Sequence, residues 1–305
     1  MVNGPQAQRG ADSPLFHASA KAEPLPQSLA EMAVEVLTTA DGRAKAALSR
    51  RHAQAWFAAR QAGTPPPLGQ ASPPDMPARP ARPELKPPRE VPRRRPGSRA
   101  GQIALLHAVA HIELNAVDLH WDIIARFTDT PMPPGFYDDW VKAGAEEAKH
   151  FNLLCDVLEA MDSHYGALPA HAGMWRAASD TAQDLPGRLA VVPMVLEARG
   201  LDVTPGMIEI FRKAGLDQAV AALEVIYAEE VGHVAYGSKW FHFLCGRDEA
   251  DPKDRFHALV RQYFHGALKP PFNAEKRADA GLPPDFYWPL AEGGWPDRHD
   301  PADFA

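Results

Sequence analysis

The chain is poor in cysteine. Its 305 residues include only Cys155 and Cys245, far apart and outside any C-x-x-C pattern. That argues against a disulfide framework and for a reducing compartment. No apolar run approaches the roughly 20 residues that a membrane helix needs, so no membrane contact is expected. Met1 to Pro24 has no basic start followed by an apolar core, so no secretory leader is expected. Positive charge is not in excess: 32 basic against 39 acidic residues give a net charge of -7. Neither nucleic acid nor an anionic membrane would be attracted by the chain as a whole. A soluble, cytoplasmic protein is the expectation.

Proline is abundant instead, and its placement divides the chain. Residues 1–24 are polar and expected to be disordered. Residues 25–62 form an N-terminal helical segment: the capping box Ser28-x-x-Glu31 opens a short helix to Leu37, and Asp41 caps a second over about 43–60. Two short helices bury little core alone, so they should dock on the main body. Residues 63–97 hold 12 of the 31 prolines, with Arg79, Arg82, Lys86, Arg89 and Arg93-Arg94-Arg95 between them. This density favours extended polyproline geometry. We read the segment as a strap lying over an acidic surface. A basic arm for RNA is the weaker reading, because no nucleic-acid motif accompanies the charge.

The main body, 98–250, reads as helix almost throughout. The spacing predicts helices over about 98–127, 136–164, 186–199 and 217–245, with an irregular crossover at 166–184. Pro193 should kink the third helix. After a break at Gly200, Thr204-Pro205 should cap and restart a helix to about Ala214. Residues 251–305 give one more helix, about 253–265, and a wrapping tail rich in proline and aromatics.

Two stretches in this body carry the chemistry: Glu146-Glu147-Ala148-Lys149-His150 and Glu229-Glu230-Val231-Gly232-His233. A Glu three residues before a His shares its helix face. Glu113 precedes Glu147 by 34 residues and Glu197 precedes Glu230 by 33, so the body is two similar hairpins. Glu113 and Glu147 each lie about 16–21 Å from their shared loop at 1.5 Å per residue, and so meet at one level. Six such groups on apolar faces are costly to bury as bare charges. Two divalent cations balance four carboxylates and leave both imidazoles neutral. Glu113, Glu147, His150, Glu197, Glu230 and His233 are therefore the candidate metal ligands. This is the ligand set of di-iron and di-manganese carboxylate four-helix bundles. Oxygen and imidazole donors without thiolate suit iron, manganese or a mixed pair.

Glu146 and Glu229 are alternative ligands by sequence alone. Three-residue spacing favours Glu147 and Glu230, which leaves Glu146 to hold the outer nitrogen of His233 and Glu229 that of His150. His120, Tyr227 and Tyr236 are candidates to line a cavity, although core packing is the simpler account of each of them. His107 and His111 form an i, i+4 pair with no further ligand in view.

With these residues in hand, the chain resembles a bacterial ferritin-like family known as domain of unknown function 455. The similar stretches are His107-Ala-Val-Ala-His-Ile-Glu113, Glu146-Glu-Ala-Lys-His150, Leu196-Glu-Ala-Arg-Gly-Leu-Asp-Val-Thr-Pro205, Glu230-Val-Gly-His-Val-Ala-Tyr-Gly237 and Pro271-Phe-Asn273. Glu229 stands where the family pattern leads us to expect Asp, and Pro193 where it leads us to expect His. The resemblance implies an all-α, ferritin-like four-helix bundle with a di-metal centre. It leaves the reaction open. One expectation is an O2-dependent oxidoreductase, a hydroxylase or oxidase, acting on a small-molecule substrate. It would be similar to ferritin-like hydroxylases, some of which act on modified tRNA. The alternatives are a storage-type metal protein and an interaction module stapled by metal. A homodimer is compatible with each.

Overall fold

The computed structural model describes residues 26–291, except 88–89, 93–94 and 172. The expected disorder of 1–24, the end of the tail, and Arg89, Arg93 and Arg94 of the basic run lie outside the described residues.

The all-α class holds: the chain is predominantly helical. In order come α1 (Leu29–Thr38), α2 (Gly42–Gln61), α3 (Arg99–Arg126), α4 (Pro134–Ala160), α5 (Met174–Asp180), α6 (Leu185–Val191), α7 (Ala198–Lys213), α8 (Asp217–Arg247), α9 (Pro252–Tyr263), α10 (Ala274–Asp279) and α11 (Pro284–Tyr287). Two short strands, β1 (Leu85–Lys86) and β2 (Ala170–His171), pair in parallel.

Side-chain caps set several helix starts by accepting from first-turn N–H groups that have no helical partner. Ser28 Oγ accepts from Glu31 N at 3.2 Å, and the Glu31 carboxylate accepts from Ser28 N at 3.0 Å. Asp41, Ser98 and Asp251 cap α2, α3 and α9 in the same way. Proline follows the cap of α9 and opens α4, where a missing N–H costs nothing.

α3 packs on α4 across the short loop 127–133, α4 packs on α8, and α8 packs on α6 and α7. Trp121, Trp140, Phe136, Phe151, Phe211 and Phe241 are fully buried between them. α1 lies on α3 and α2 on α4. The α2–α3 contact includes a buried ion pair between Lys45 and Asp118.

The proline-rich segment docks by accepting hydrogen bonds. Proline has a carbonyl but no N–H, so a proline-rich chain offers acceptors in excess of donors. Pro67 O and Leu68 O take the N–H groups of Leu29 and Ala30, the first-turn donors of α1 that the Ser28 cap leaves free, at 3.0 and 2.9 Å. Pro74 O accepts from Arg126, Asp75 O from the Trp175 indole and Ala78 O from Lys45, at 2.8, 2.8 and 3.0 Å.

The stretch after the crossover departs from expectation. It neither breaks at Gly200 nor restarts at Thr204-Pro205. α6 runs into a π-helical segment, Val192–Glu197, and on into α7 without a gap. Two features account for this, one local and one distant in sequence. A π turn is wider than an α turn, so it can accommodate the ring of Pro193 without breaking the helix. Pro205, inside α7, leaves the carbonyl four residues back without its helical donor. Asn273 of the tail supplies one, its Nδ2 donating to Leu201 O at 3.2 Å. The crossover also holds a short helix, α5, that its irregular composition concealed.

Candidate metal centre

Each of the four long helical stretches brings part of the site. Glu113 comes from α3, Glu147 and His150 from α4, Glu197 from the end of the π segment, and Glu230 and His233 from α8. Glu113, Glu147, His150, Glu230 and His233 are all at most 7% exposed, and the Glu197 side chain is 9% exposed.

These residues fall into overlapping groups. Glu113, Glu147, His150 and Glu230 can each offer a ligand atom within 4.8 Å of the others. Glu197, Glu230 and His233 form a second such set, and His120, Glu147 and His233 a third. Glu147 and Glu230 each belong to two sets, so the sets are joined through shared carboxylates.

The imidazoles are oriented alike. Nδ1 of each faces the centre and Nε2 faces outward. His150 Nδ1 lies 3.2 Å from Glu113 Oε2 and 3.4 Å from Glu147 Oε2. His233 Nδ1 lies 2.9 Å from Glu147 Oε1 and 3.6 Å from Glu230 Oε1. On the outer side, the Nε2–H of His150 donates to Glu229 Oε2 at 2.8 Å and that of His233 to Glu146 Oε2 at 3.1 Å. Of each Glu-Glu pair, therefore, the second residue faces the centre and the first holds the imidazole of the opposite helix. Such an outer carboxylate fixes the ring and its tautomer.

The electrostatics are those of a crowded acidic pocket. Burial, reinforced by the charge of Glu147, pushes the Glu113 carboxyl well up and Glu230 up. Burial and Glu230 lift Glu197 to about 7 against the pull of His120. Burial also acts to raise Glu147, but contacts with His120, His150 and His233 outweigh it and hold that carboxyl well down. Burial opposes charge on His150 and His233, yet the surrounding carboxylates keep both well above the ordinary imidazole range. The hydrogen bond from His150 draws Glu229 down to about 2.

Hydrogen bonds leave much of the pocket unsatisfied. Both carboxylate oxygens of Glu147 and of Glu197, His233 Nδ1, and both ring nitrogens of His120 are buried without a hydrogen-bond partner. His233 Nδ1 sits within 2.9 Å of Glu147 but out of line for a bond. Buried polar atoms are nearly always paired, so this concentration of orphans asks for something to satisfy them. A metal ion could do so, held by these buried carboxylate and imidazole donors.

The other sequence candidates fall elsewhere. Tyr227 OH accepts from Asn273 Nδ2 at 2.7 Å, and Tyr236 OH accepts from Lys142 at 3.0 Å. His107 and His111 have their own partners, Gly166 N–H for the first and Tyr165 and the His171 carbonyl for the second.

A cavity of about 130 Å³ opens onto the carboxylates. Glu113, Glu147, Glu197 and Glu230 form its polar end, and Val109, Leu119, Leu196, Val203, Met207 and Ile226 line much of the rest. Neither tyrosine lines it. The sequence did not reveal Leu196, Val203 and Met207 as lining residues, because their facing follows from the π winding upstream. Arg199 at the wall is tied to the tail, donating to Lys269 O at 2.6 Å and Pro271 O at 3.2 Å.

No solved structure matches the chain. Over 208 residues it is 38% identical to an uncharacterized protein of Haemophilus influenzae, an overlap covering 67% of this chain and 72% of that one. Residues 38–288, which contain every group of the centre, match the family described as "Protein of unknown function (DUF455)", and the chain belongs to that family.

Proposed function

We propose that this chain is a ferritin-like di-metal carboxylate protein. Its four-helix bundle would be α3, α4, the α6–α7 stretch and α8. It would hold two metal ions, iron in the first instance and manganese or a mixed pair as the alternative. We further propose that it acts as an O2-dependent oxidoreductase, a hydroxylase or oxidase, on a small and largely apolar substrate.

One observation carries this reading. Interlocked Glu/His sets from four helical stretches meet in one buried pocket, with seven polar atoms there lacking hydrogen bonds. Glu113 and His150 would hold one ion and Glu197 and His233 the other, with Glu147 and Glu230 shared by the two. A ferrous pair supplies electrons for the reduction of O2. The chain's own part is to bind, orient and exclude water. Glu146 and Glu229 fix the imidazoles, and the apolar cavity places a substrate against the carboxylate end. Long proline-rich extensions disfavour packing into a storage shell.

The test is anaerobic titration with ferrous iron, followed by air. Two ions bound per chain, seen by metal analysis and Mössbauer spectroscopy, with O2 consumed on exposure, is the expected result. No uptake would overturn the metal reading. Tight uptake with no O2 consumption would leave the metal as a structural staple.

A further inference from the structure

One side chain outside the six groups is aimed at the centre and has no hydrogen-bond partner. His120 lies on α3, seven residues after Glu113, so two helical turns bring it to the same face. It is fully buried. Its Nε2 stands 3.3 Å from Glu197 Oε1 and 3.5 Å from Glu147 Oε1, yet neither ring nitrogen makes a hydrogen bond. The ring is held by its neighbours. It stacks on Trp140 at 5.4 Å between centroids and meets His233 edge-on at 5.5 Å.

Other buried histidines of this chain show the ordinary alternative. His52 pairs with Glu35, His107 accepts from Gly166 N–H, and His111 reaches Tyr165 and a backbone carbonyl. A histidine kept only for packing would be expected to find such a partner. His120 instead presents an open nitrogen to two carboxylates whose own oxygens are unsatisfied.

We propose that His120 is a third imidazole ligand of the centre, binding through Nε2 at the position shared by Glu147, Glu197 and His233. This rests on the di-metal reading above and makes the centre unsymmetrical. The position at Glu113 and His150 has one imidazole, and the position at Glu197 has two. Imidazole favours iron over manganese, whereas carboxylate suits manganese. The two-imidazole position is therefore the iron-selective one, and the carboxylate-rich position is the one that accepts manganese. His120 differs from the other two imidazoles in having no outer carboxylate. Ring contacts with Trp140 and His233, rather than a hydrogen bond, hold its plane.

The test compares the full chain with its His120→Ala and His120→Gln variants, loaded anaerobically with Fe(II) and, separately, with Mn(II). Wild type should bind two ferrous ions and show two unequal Mössbauer quadrupole doublets. Each variant should bind one ferrous ion at least 10-fold more weakly, on the order expected for loss of a group that positions or ligates a metal. The doublet of that ion should move, and the other should stay. Manganese affinity should fall less than iron affinity. Free imidazole added to a His120→Gly variant should restore the lost doublet. The Gln variant guards against a cavity effect, and melting of the metal-free proteins reports any folding defect. Wild type that binds two ions, with variants unchanged in affinity and spectrum, overturns this assignment alone. Wild type that binds no metal overturns the di-metal reading and this assignment with it.

Discussion

The outer nitrogen of His150 on α4 is held by Glu229 on α8, at 2.8 Å. The reverse contact, His233 on α8 to Glu146 on α4, is 3.1 Å. Each helix thus orients the imidazole that the other contributes. Behind Glu229 stands Lys149, with Nζ at 2.5 Å, and behind Glu146 stands Lys142 at 3.7 Å.

If these contacts position ligands, Glu229→Gln and Glu146→Gln should each weaken metal binding by roughly 10–100-fold. The melting temperature of the metal-free protein should move little, since both glutamates are partly exposed. Competition against a chelator of known affinity would check this. Unchanged affinity in both variants would reduce these glutamates to surface ion pairs.

Lys45 and Asp118 form a buried pair between α2 and α3. Burial lowers the Lys45 pKa and lifts that of Asp118 to about 6, so desolvation outweighs their attraction for both. Asp118→Ala should destabilise by about 3–5 kcal/mol, because it leaves a charge buried alone. The double replacement Lys45→Met, Asp118→Leu should recover most of that loss. Denaturant midpoints of the three proteins decide it.

His107 and His111 are held neutral by burial, each with its pKa lowered to about 4. A group depressed in the folded state contributes stability that is present above its unfolded pKa and lost as pH falls. The loss should therefore span pH 6.5 to about 4, where the unfolded chain binds two more protons at these sites. The expected slope from this pair is about 2.7 kcal/mol per pH unit. A His107→Gln, His111→Gln protein should show a flatter dependence in chemical denaturation run across that range.

Asn273 and Pro205 offer a cleaner test, because one is argued to compensate for the other. Asn273→Ala removes the donor to Leu201 O and should cost about 1–3 kcal/mol. In a Pro205→Ala background, residue 205 regains an N–H for that carbonyl, and the same Asn273 change should cost distinctly less. A double-mutant cycle by thermal or denaturant unfolding reads the difference. Additive costs would mean that the Asn273 contact is incidental to the proline.

Much of the helical order was legible in the sequence, because caps and apolar spacing are local signals. Ser98 marks the start of α3, Asp41 that of α2 and Asp251 that of α9. The Glu-x-x-His spacing placed its groups on shared faces for the same reason. Thr204-Pro205 misled, since a threonine before proline has the chemistry of a helix start. What keeps the helix continuous there is Asn273, nearly 70 residues on, and no local rule can see it. The π segment was likewise hidden: Pro193 announced a disturbance but not its form. His120 could be placed on the face of Glu113, but not against Glu197, whose position depends on that winding.

The π segment also works as an index. Its hydrogen bonds span five residues where an α turn spans four, so it absorbs a surplus residue. One residue of α-helix is about 100° of rotation. Glu197 closes this segment, and Asp202, five residues on, receives Arg277 of α10 at 2.7 Å. Arg277 is itself clasped between Phe272 and Tyr287. Shortening the segment by one residue would turn α7 as a whole, swinging Asp202 off the clasp and Val203 and Met207 off the cavity wall together. The clasp on Asp202 therefore fixes the rotation of α7, the helix that continues from Glu197.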